Sequence, residues 1–304
     1  MNDLVRDFRD ELKKSIFGSL GEPIGELENR FGETFSLDFE EHLGLLRRAF
    51  PERPWPSWAV EGFIRFNREI LREEKRFRQS GKYSARPEDF DRILEDTYDN
   101  SDVMQRYYLV GLYCSYFVWP HHYEILSFFR EAFLNAEREE PETLSEWGVG
   151  HGLFSLLALR RWKRARAVLA DISRHSLSFS QAILTAAGCM ERCVARIGDV
   201  TKEPEEAQVD RIICGELLEH VPEPEVLLDR MRRGLRPGGV AYLTGAVNAP
   251  QSDHVSLFRS PEELIALVER RGFQISRQLA VCHPKRRGEL NPPMVVAMVV
   301  ESAN

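Results

Sequence analysis

From residue 144 onward the chain repeats one cycle: a short apolar run, a turn, then a helical stretch. Residues 144–148, 164–173, 193–200, 209–217 and 239–247 read as strands, and helical stretches intervene at 152–162, 176–190 and 223–235. Strands this apolar, spaced by helices rather than hairpin turns, require a parallel sheet covered on both faces. The C-terminal part differs. A helix at 260–273 precedes two apolar runs, 274–283 and 293–302, and only the short basic segment Pro284–Asn291 separates them. So short a link makes that pair antiparallel. The expected fold is α/β, a seven-stranded, mostly parallel sheet with one antiparallel strand near an edge and helices on both faces.

Residues 1–140 carry a different pattern, with helical periodicity and almost no strand signal. Leu4, Val5, Phe8, Leu12 and Ile16 recur at helical spacing, as do Phe63, Ile64, Phe66, Ile70 and Leu71. Turn-rich breaks at 50–58 and 78–87 separate them, and Pro87 with the following acids starts another helix. The chain therefore divides into a helical N-terminal cap over 1–140 and a ligand-binding α/β domain over 141–304. A net charge of -7 argues against broad nucleic-acid or anionic-membrane binding, which needs a dominant basic face. The basic cluster at 160–167 reads as a solvated helix end. The most apolar run, 107–120, is too short to cross a bilayer. Residues 1–14 are amphipathic, with acids and bases interspersed and no uninterrupted apolar core, unlike a secretory signal, and the five scattered cysteines read as free thiols. A cytoplasmic protein is expected, with room for a homodimer.

Within this rhythm, "SEWGVGHGLFSLL" (145–157) places Gly148, Gly150 and Gly152 between the first strand and its helix. A dinucleotide fingerprint puts its third glycine one residue later, so the loop suits another ligand. Asp171 ends the second strand, where a carboxylate accepts hydrogen bonds from ribose hydroxyls. Asp199 ends the third, placed to meet an exocyclic amine with the Val200 N–H beside it. Glu146, two residues before the first glycine, suits an ammonium group rather than a pyrophosphate.

These segments resemble the class I S-adenosylmethionine-dependent methyltransferases. "EWGVGHG" (146–152) is similar to their E-x-G-x-G-x-G loop, "ADIS" (170–173) to their acidic second-strand end and "GDV" (198–200) to their adenine-contacting acid. "GELLEHVPEPEVLLDRMRRGLRPGG" (215–239) resembles their fourth-strand motif, helix and fifth-strand turn. The resemblance covers roughly residues 143–302 and implies S-adenosyl-L-methionine as cofactor. It implies that Glu146 and the glycines line the methionine moiety, Asp171 and Ile172 the ribose, and Asp199 and Val200 the adenine. Glu216 and Leu217 would flank the open end of the fourth strand. His220 also matches the family, where it is often structural.

The resemblance leaves out residues 1–140, where variation that selects an acceptor is expected. In "CSYFVWPHHYEILSFF" (114–129) aromatics surround two histidines, so His121, His122 and Tyr123 are candidates for catalysis, and Tyr116 and Trp119 for contacting substrate. The loop leaving the fifth strand offers Asn248, Asp253 and His254 as further substrate contacts. No metal-binding set is visible, since Asp253 with His254 is too little. Methyl transfer to a small-molecule acceptor is the leading function. The alternatives are use of the cofactor's aminocarboxypropyl carbon with release of methylthioadenosine, and cofactor binding without catalysis.

Overall fold

The computed structural model describes residues 3–202, 208–283 and 291–302. The helical N-terminal region comprises α1 (Asp3–Lys13), α2 (Glu22–Ala49), α3 (Ser57–Ser80), the short α4 (Phe90–Ile93) and α5 (Ser101–Val103), α6 (Leu109–Val118) and α7 (Pro120–Phe128). Val5, Phe8 and Leu12 form the buried stripe of α1 as their spacing requires. Ile16 does not join them: the helix ends at Lys13 and Ile16 is 94% exposed. Single π-helical segments at Leu94–Tyr98, Met104–Tyr108 and Phe129–Leu134 interrupt the α-helical stretches. Such widened turns rotate the following side chains out of the α-helical register. Pro120 separates α6 from α7, because it excludes Trp119 from helical conformation yet sits comfortably in a first turn. His121 and His122 thereby fall in the first turn of α7. Gly62 and Gly111 let α3 and α6 touch, since a Cβ at Gly111 would stand 2.9 Å from the Gly62 carbonyl oxygen.

The sheet contains β1 (Thr143–Trp147), β2 (Arg166–Asp171), β3 (Cys193–Ile197), β4 (Val209–Cys214), β5 (Leu235–Val247), β6 (Phe273–Cys282) and β7 (Met294–Ser302), in the order β3-β2-β1-β4-β5-β7-β6. All neighbours are parallel except the pairs made by β7, which runs against both β5 and β6. This is the architecture expected from the strand rhythm. The basic segment expected to join β6 and β7 lies, but for its last residue, outside the described residues. Helices α8 (Leu153–Arg161), α9 (Arg174–Ala186), α10 (Pro224–Gly234) and α11 (Pro261–Arg270) cover the faces. The second is capped by Ser173 and the last by Ser260, each accepting a backbone N–H of its helix's first turn.

One apolar core runs from Phe8, Phe39 and Phe117 of the helical region through Leu144, Ile213 and Tyr242 of the sheet. Tyr242 anchors the junction: Phe129, Phe133 and Phe154 surround its ring, and its hydroxyl donates to the Ile125 carbonyl. A second core lies under α10 and α11 on the other face. The helical region therefore covers one face of the sheet and reaches the carboxyl ends of its strands.

Strand order reverses between β1 and β4, and the glycine loop crosses that point. Gly152 has φ +73°, and a Cβ there would stand 2.7 Å from Cβ of Ser180 on α9. Gly188, with φ +68°, has nothing within 4 Å. Gly188→Ala should cost about 1–2 kcal/mol through its backbone alone. Gly152→Ala should cost measurably more in chemical denaturation, and equal losses would remove the close approach to α9 as the reason for that glycine.

Candidate active site

A cavity of about 1100 Å³, its open mouth included, lies at the carboxyl ends of β1, β2, β3 and β4. On the sheet side it is lined by Glu146, Gly148, Gly150, Asp171, Ile172, Asp199, Val200, Glu216 and Leu217. Nine of the ten positions expected to hold the cofactor thus surround one space. Gly152 is the exception and serves the contact with α9.

The loop is fixed by hydrogen bonds to the end of β2. Gly148 and Val149 donate to the Ala170 carbonyl at 2.9 and 3.2 Å, and Gly150 donates to Oδ2 of Asp171 at 3.0 Å. A Cβ at Gly150 would meet only the Gly148 oxygen, at 3.9 Å, so the backbone is open to a close ligand. The other Asp171 oxygen accepts from Ser173 N at 2.8 Å, and the Ser176 side chain and the Ile172 N–H add to the hydrogen bonding of this carboxylate. Glu146 is buried and accepts from Ser155 N at 2.9 Å in the first turn of α8. Burial pushes its carboxyl up to about 8 and that of Asp171 up to about 6. Asp199 differs. Burial raises its carboxyl, but hydrogen bonds from the Thr201 hydroxyl and N–H and from Lys202 outweigh that and hold it below the usual range.

The opposite wall comes from the helical region: Phe90, Tyr98, Tyr108, Leu112, Tyr116 and His122. His122 is the candidate that reaches the cavity. Its Nδ1 lies 2.8 Å from Ser115 Oγ, whose proton goes to the Leu112 carbonyl at 2.7 Å. Nδ1 therefore carries the hydrogen, and Nε2 keeps a lone pair. Burial, with His283 and His151 nearby, lowers its pKa well below 6.5, so the ring is neutral at pH 7. Tyr123 and His121 need correction as catalytic candidates. The Tyr123 hydroxyl donates to Asp38 at 2.8 Å, its ring packs on Phe31 and Phe35, and it does not line the cavity. His121 stacks on His283, ring centroids 3.8 Å apart, behind the wall. One helical turn cannot present three consecutive side chains to one space, and it presents His122.

Tyr116 lines the main cavity, and Trp119 lines a smaller one that shares His122, Glu216 and Gln251 with it. Asn248 lines neither. It has φ +50°, and its side chain donates to the Arg259 carbonyl at 2.8 Å, which makes it a clamp of the loop after β5. His254 reaches the cavity, while Asp253 sits behind it and accepts from Tyr98 at 3.1 Å and Tyr108 at 2.8 Å. Glu219 and His220, in the turn after β4, join His254: each brings one ligand atom within 4.8 Å of the others. The sequence hid this set because the two loops meet only across the ends of β4 and β5. Burial raises the Glu216 carboxyl to about 7 against hydrogen bonds with Thr244 and Glu219, and burial with the Glu216 charge beside it raises Glu219 well above the ordinary range. The Glu219 oxygens and His254 ring nitrogens make no hydrogen bond of ordinary geometry, and the Glu219 carboxyl lies against the Glu216 carboxyl. Tyr98, Tyr108, His151 and Phe154 are wall residues that sequence spacing did not single out. The available signal was tyrosines beside turn-forming "DNSD" (99–102), where helices end.

No helix among the described residues is long and apolar enough to cross a membrane, and all five cysteines are free. Residues 145–239 match the family model described as a methyltransferase domain. A trans-aconitate 2-methyltransferase of Azoarcus sp. (strain BH72) is 26% identical over 132 residues, 43% of this chain and 50% of that protein. This chain thus spans half the length of that curated relative. Among solved structures, the N-methyltransferase NodS from Bradyrhizobium japonicum WM9, in complex with S-adenosyl-L-homocysteine, is 14% identical. It matches with a TM-score of 0.51 over 70% of this chain and 98% of its own. The mitomycin 7-O-methyltransferase MmcR is 15% identical, with a TM-score of 0.52 over 86% of this chain and 72% of its own. At these identities the structures show a shared fold.

The buried groups set a pH dependence of stability in the ligand-free protein. Above about pH 7.5 the buried histidines are neutral in both folded and unfolded states. The raised Glu146 carboxyl there still holds a proton that the unfolded chain has released, so stability falls as pH rises through about 8. The slope should be at most about 1.4 kcal/mol per pH unit for each retained proton. Below pH 6.5, His151 and His254, held at about 3, lower stability on acidification. Denaturant titrations across pH should show the fall above about 7.5, and Glu146→Gln should reduce it. A flat profile in the wild type would contradict the buried carboxyls.

Proposed function

We propose that this chain, a member of the class I S-adenosylmethionine-dependent methyltransferases, transfers the cofactor's methyl group to a small acceptor enclosed between the sheet and the helical region. The observation that carries this reading is the shared cavity. Cofactor-type groups (Glu146, Gly150 and Asp171) face the same space as the aromatic and imidazole wall of α6 and α7. The chain's own residues fit the cofactor. The open backbone at Gly150 admits close approach, Asp171 presents its carboxylate to the cavity for ribose hydroxyls, and Glu146 gives a buried carboxyl for an ammonium group. The cofactor supplies an electrophilic methyl group on a sulfonium.

The protein's part is positioning. Tyr98, Tyr108 and Tyr116 enclose the acceptor and exclude water, and aromatic faces near the cation contribute roughly 0.5–2 kcal/mol. Fixing acceptor and methyl group in line supplies most of the acceleration. His122 Nε2 takes the proton from the attacking atom, with Ser115 holding the ring in the required tautomer. Incubation with S-adenosylmethionine and a panel of hydroxyl, amine and carbon-acid metabolites should give S-adenosylhomocysteine with at least one acceptor. Methylthioadenosine without any acceptor, or no product across the panel, would count against methyl transfer. His122→Asn should lower kcat by about 10²–10⁴ while calorimetry finds cofactor affinity nearly unchanged. Near-wild-type turnover in that variant would remove His122 from the proton transfer.

A further inference from the structure

We infer that Glu219, His220 and His254 form a binding site for a divalent first-row transition cation in the wall of this cavity, with a coordination position open to the acceptor. This deepens the reading above and rests on it for the identity of the remaining ligand. Two imidazoles and one carboxylate are a donor set for zinc, iron, cobalt or nickel rather than for magnesium or calcium. The three ligand atoms lie within 4.8 Å of one another, and two bonds of ~2.1 Å to one ion span up to ~4.2 Å, so a small side-chain adjustment closes the set.

Three further observations point to a ligand there. The first is the orphaned atoms. Glu219 is wholly buried and His254 nearly so, yet neither Glu219 oxygen and neither His254 ring nitrogen makes a hydrogen bond of ordinary geometry, and the neighbour of the Glu219 carboxyl is a second carboxyl, that of Glu216, which a proton or a cation must bridge. Buried polar side chains rarely stay unpaired, and one cation would engage both residues. The second is the state of His220. The Asp253 carbonyl beside His220 Nδ1 can only accept, so Nδ1 is the donor, and the Tyr98 oxygen at 2.9 Å shares its proton while Tyr98 gives its own to Asp253. The Asp253 carbonyl and carboxylate lie 3.2 and 3.5 Å from the same nitrogen. This leaves the lone pair on Nε2, and an imidazole whose other nitrogen donates to a carboxylate or carbonyl is the usual form of a metal ligand. The third is rigidity. Val255 and Ser256 donate their N–H groups to the Glu219 carbonyl at 2.8 and 3.0 Å, and the Ser256 hydroxyl donates to the Val221 carbonyl at 2.8 Å. The two ligand-bearing loops are therefore stitched together. His220 and His254 line the cavity, which gives the ion both an entry path and an open side.

The test is a Co²⁺ titration of the chelator-treated, untagged full chain, followed by visible absorption. One equivalent should bind, giving a ligand-field band that Zn²⁺ abolishes. Glu219→Gln and His254→Ala should each weaken binding by about 100-fold or more, whereas His175→Ala, outside the cavity, should leave it unchanged. Should His254→Ala fail to fold by circular dichroism, the near-isosteric Glu219→Gln carries the comparison. Absence of the band, or a titration unaltered by Glu219→Gln, overturns the site and leaves the Glu216–Glu219 pair holding a proton instead. The readout is separate from turnover. Methyl transfer by a chain that binds no cobalt sinks the metal site alone, and cobalt binding with no methylated product from any acceptor sinks the methyl-transfer reading alone.

Discussion

The hydrogen bond from Gly150 N to the Asp171 carboxylate, with the paired donations of Gly148 and Val149 to the Ala170 carbonyl, holds the rest of the site in place. A loop with glycines at left-handed φ has no regular partner of its own, and these three bonds tie it to the neighbouring strand. Once tied, it sets the start of α8, where Ser155 N meets Glu146, and it brings Gly152 against Ser180 of α9. The same carboxylate that would receive the ribose thus also shapes the loop that would receive the methionine. Binding and local structure share one group, which is why burial raises Asp171 only to about 6 despite its enclosure: the backbone donors offset the lost water.

On the opposite wall, geometry comes from interruptions in helices. Pro120 places His122 at the start of α7, and the π-helical segments ending at Tyr98 and Tyr108 shift those two tyrosines toward Asp253. Glu216, with φ +49°, and Asn248, with φ +50°, add strained backbone at the exits of β4 and β5. Strain of this kind persists only where surrounding contacts over-determine it. At Glu216 those contacts are the Thr244 hydroxyl, which accepts from Glu216 N at 2.8 Å and donates to its carboxylate at 2.6 Å.

The sheet and the cofactor side were legible in the sequence because both are local. A parallel strand shows itself as an apolar run, and Glu146, Gly148, Gly150, Asp171 and Asp199 each stand at a strand end that the run defines. The acceptor side was not local. His121, His122 and Tyr123 are adjacent in sequence, but only the helical register decides which of them faces inward. Tyr98 and Tyr108 belong to helices whose register shifts at π turns, which no spacing rule anticipates. His220 read as a structural member of a familiar motif because its partners, Asp253 and His254, arrive from another loop.

What distinguishes this cavity is how its polar groups are paired. On the cofactor side, Glu146 and Asp171 are buried but each accepts backbone N–H bonds, a state that tolerates an empty site. On the opposite wall, Glu219 and His254 are equally buried without a hydrogen bond of ordinary geometry, and the neighbour of the Glu219 carboxyl is a second carboxyl, that of Glu216. Uncompensated desolvation is retained only where something outside the chain relieves it or where the group is neutral. A carboxyl held against a second carboxyl, beside an imidazole without a well-formed hydrogen bond, therefore marks this wall as the part of the cavity that protein contacts alone leave incomplete.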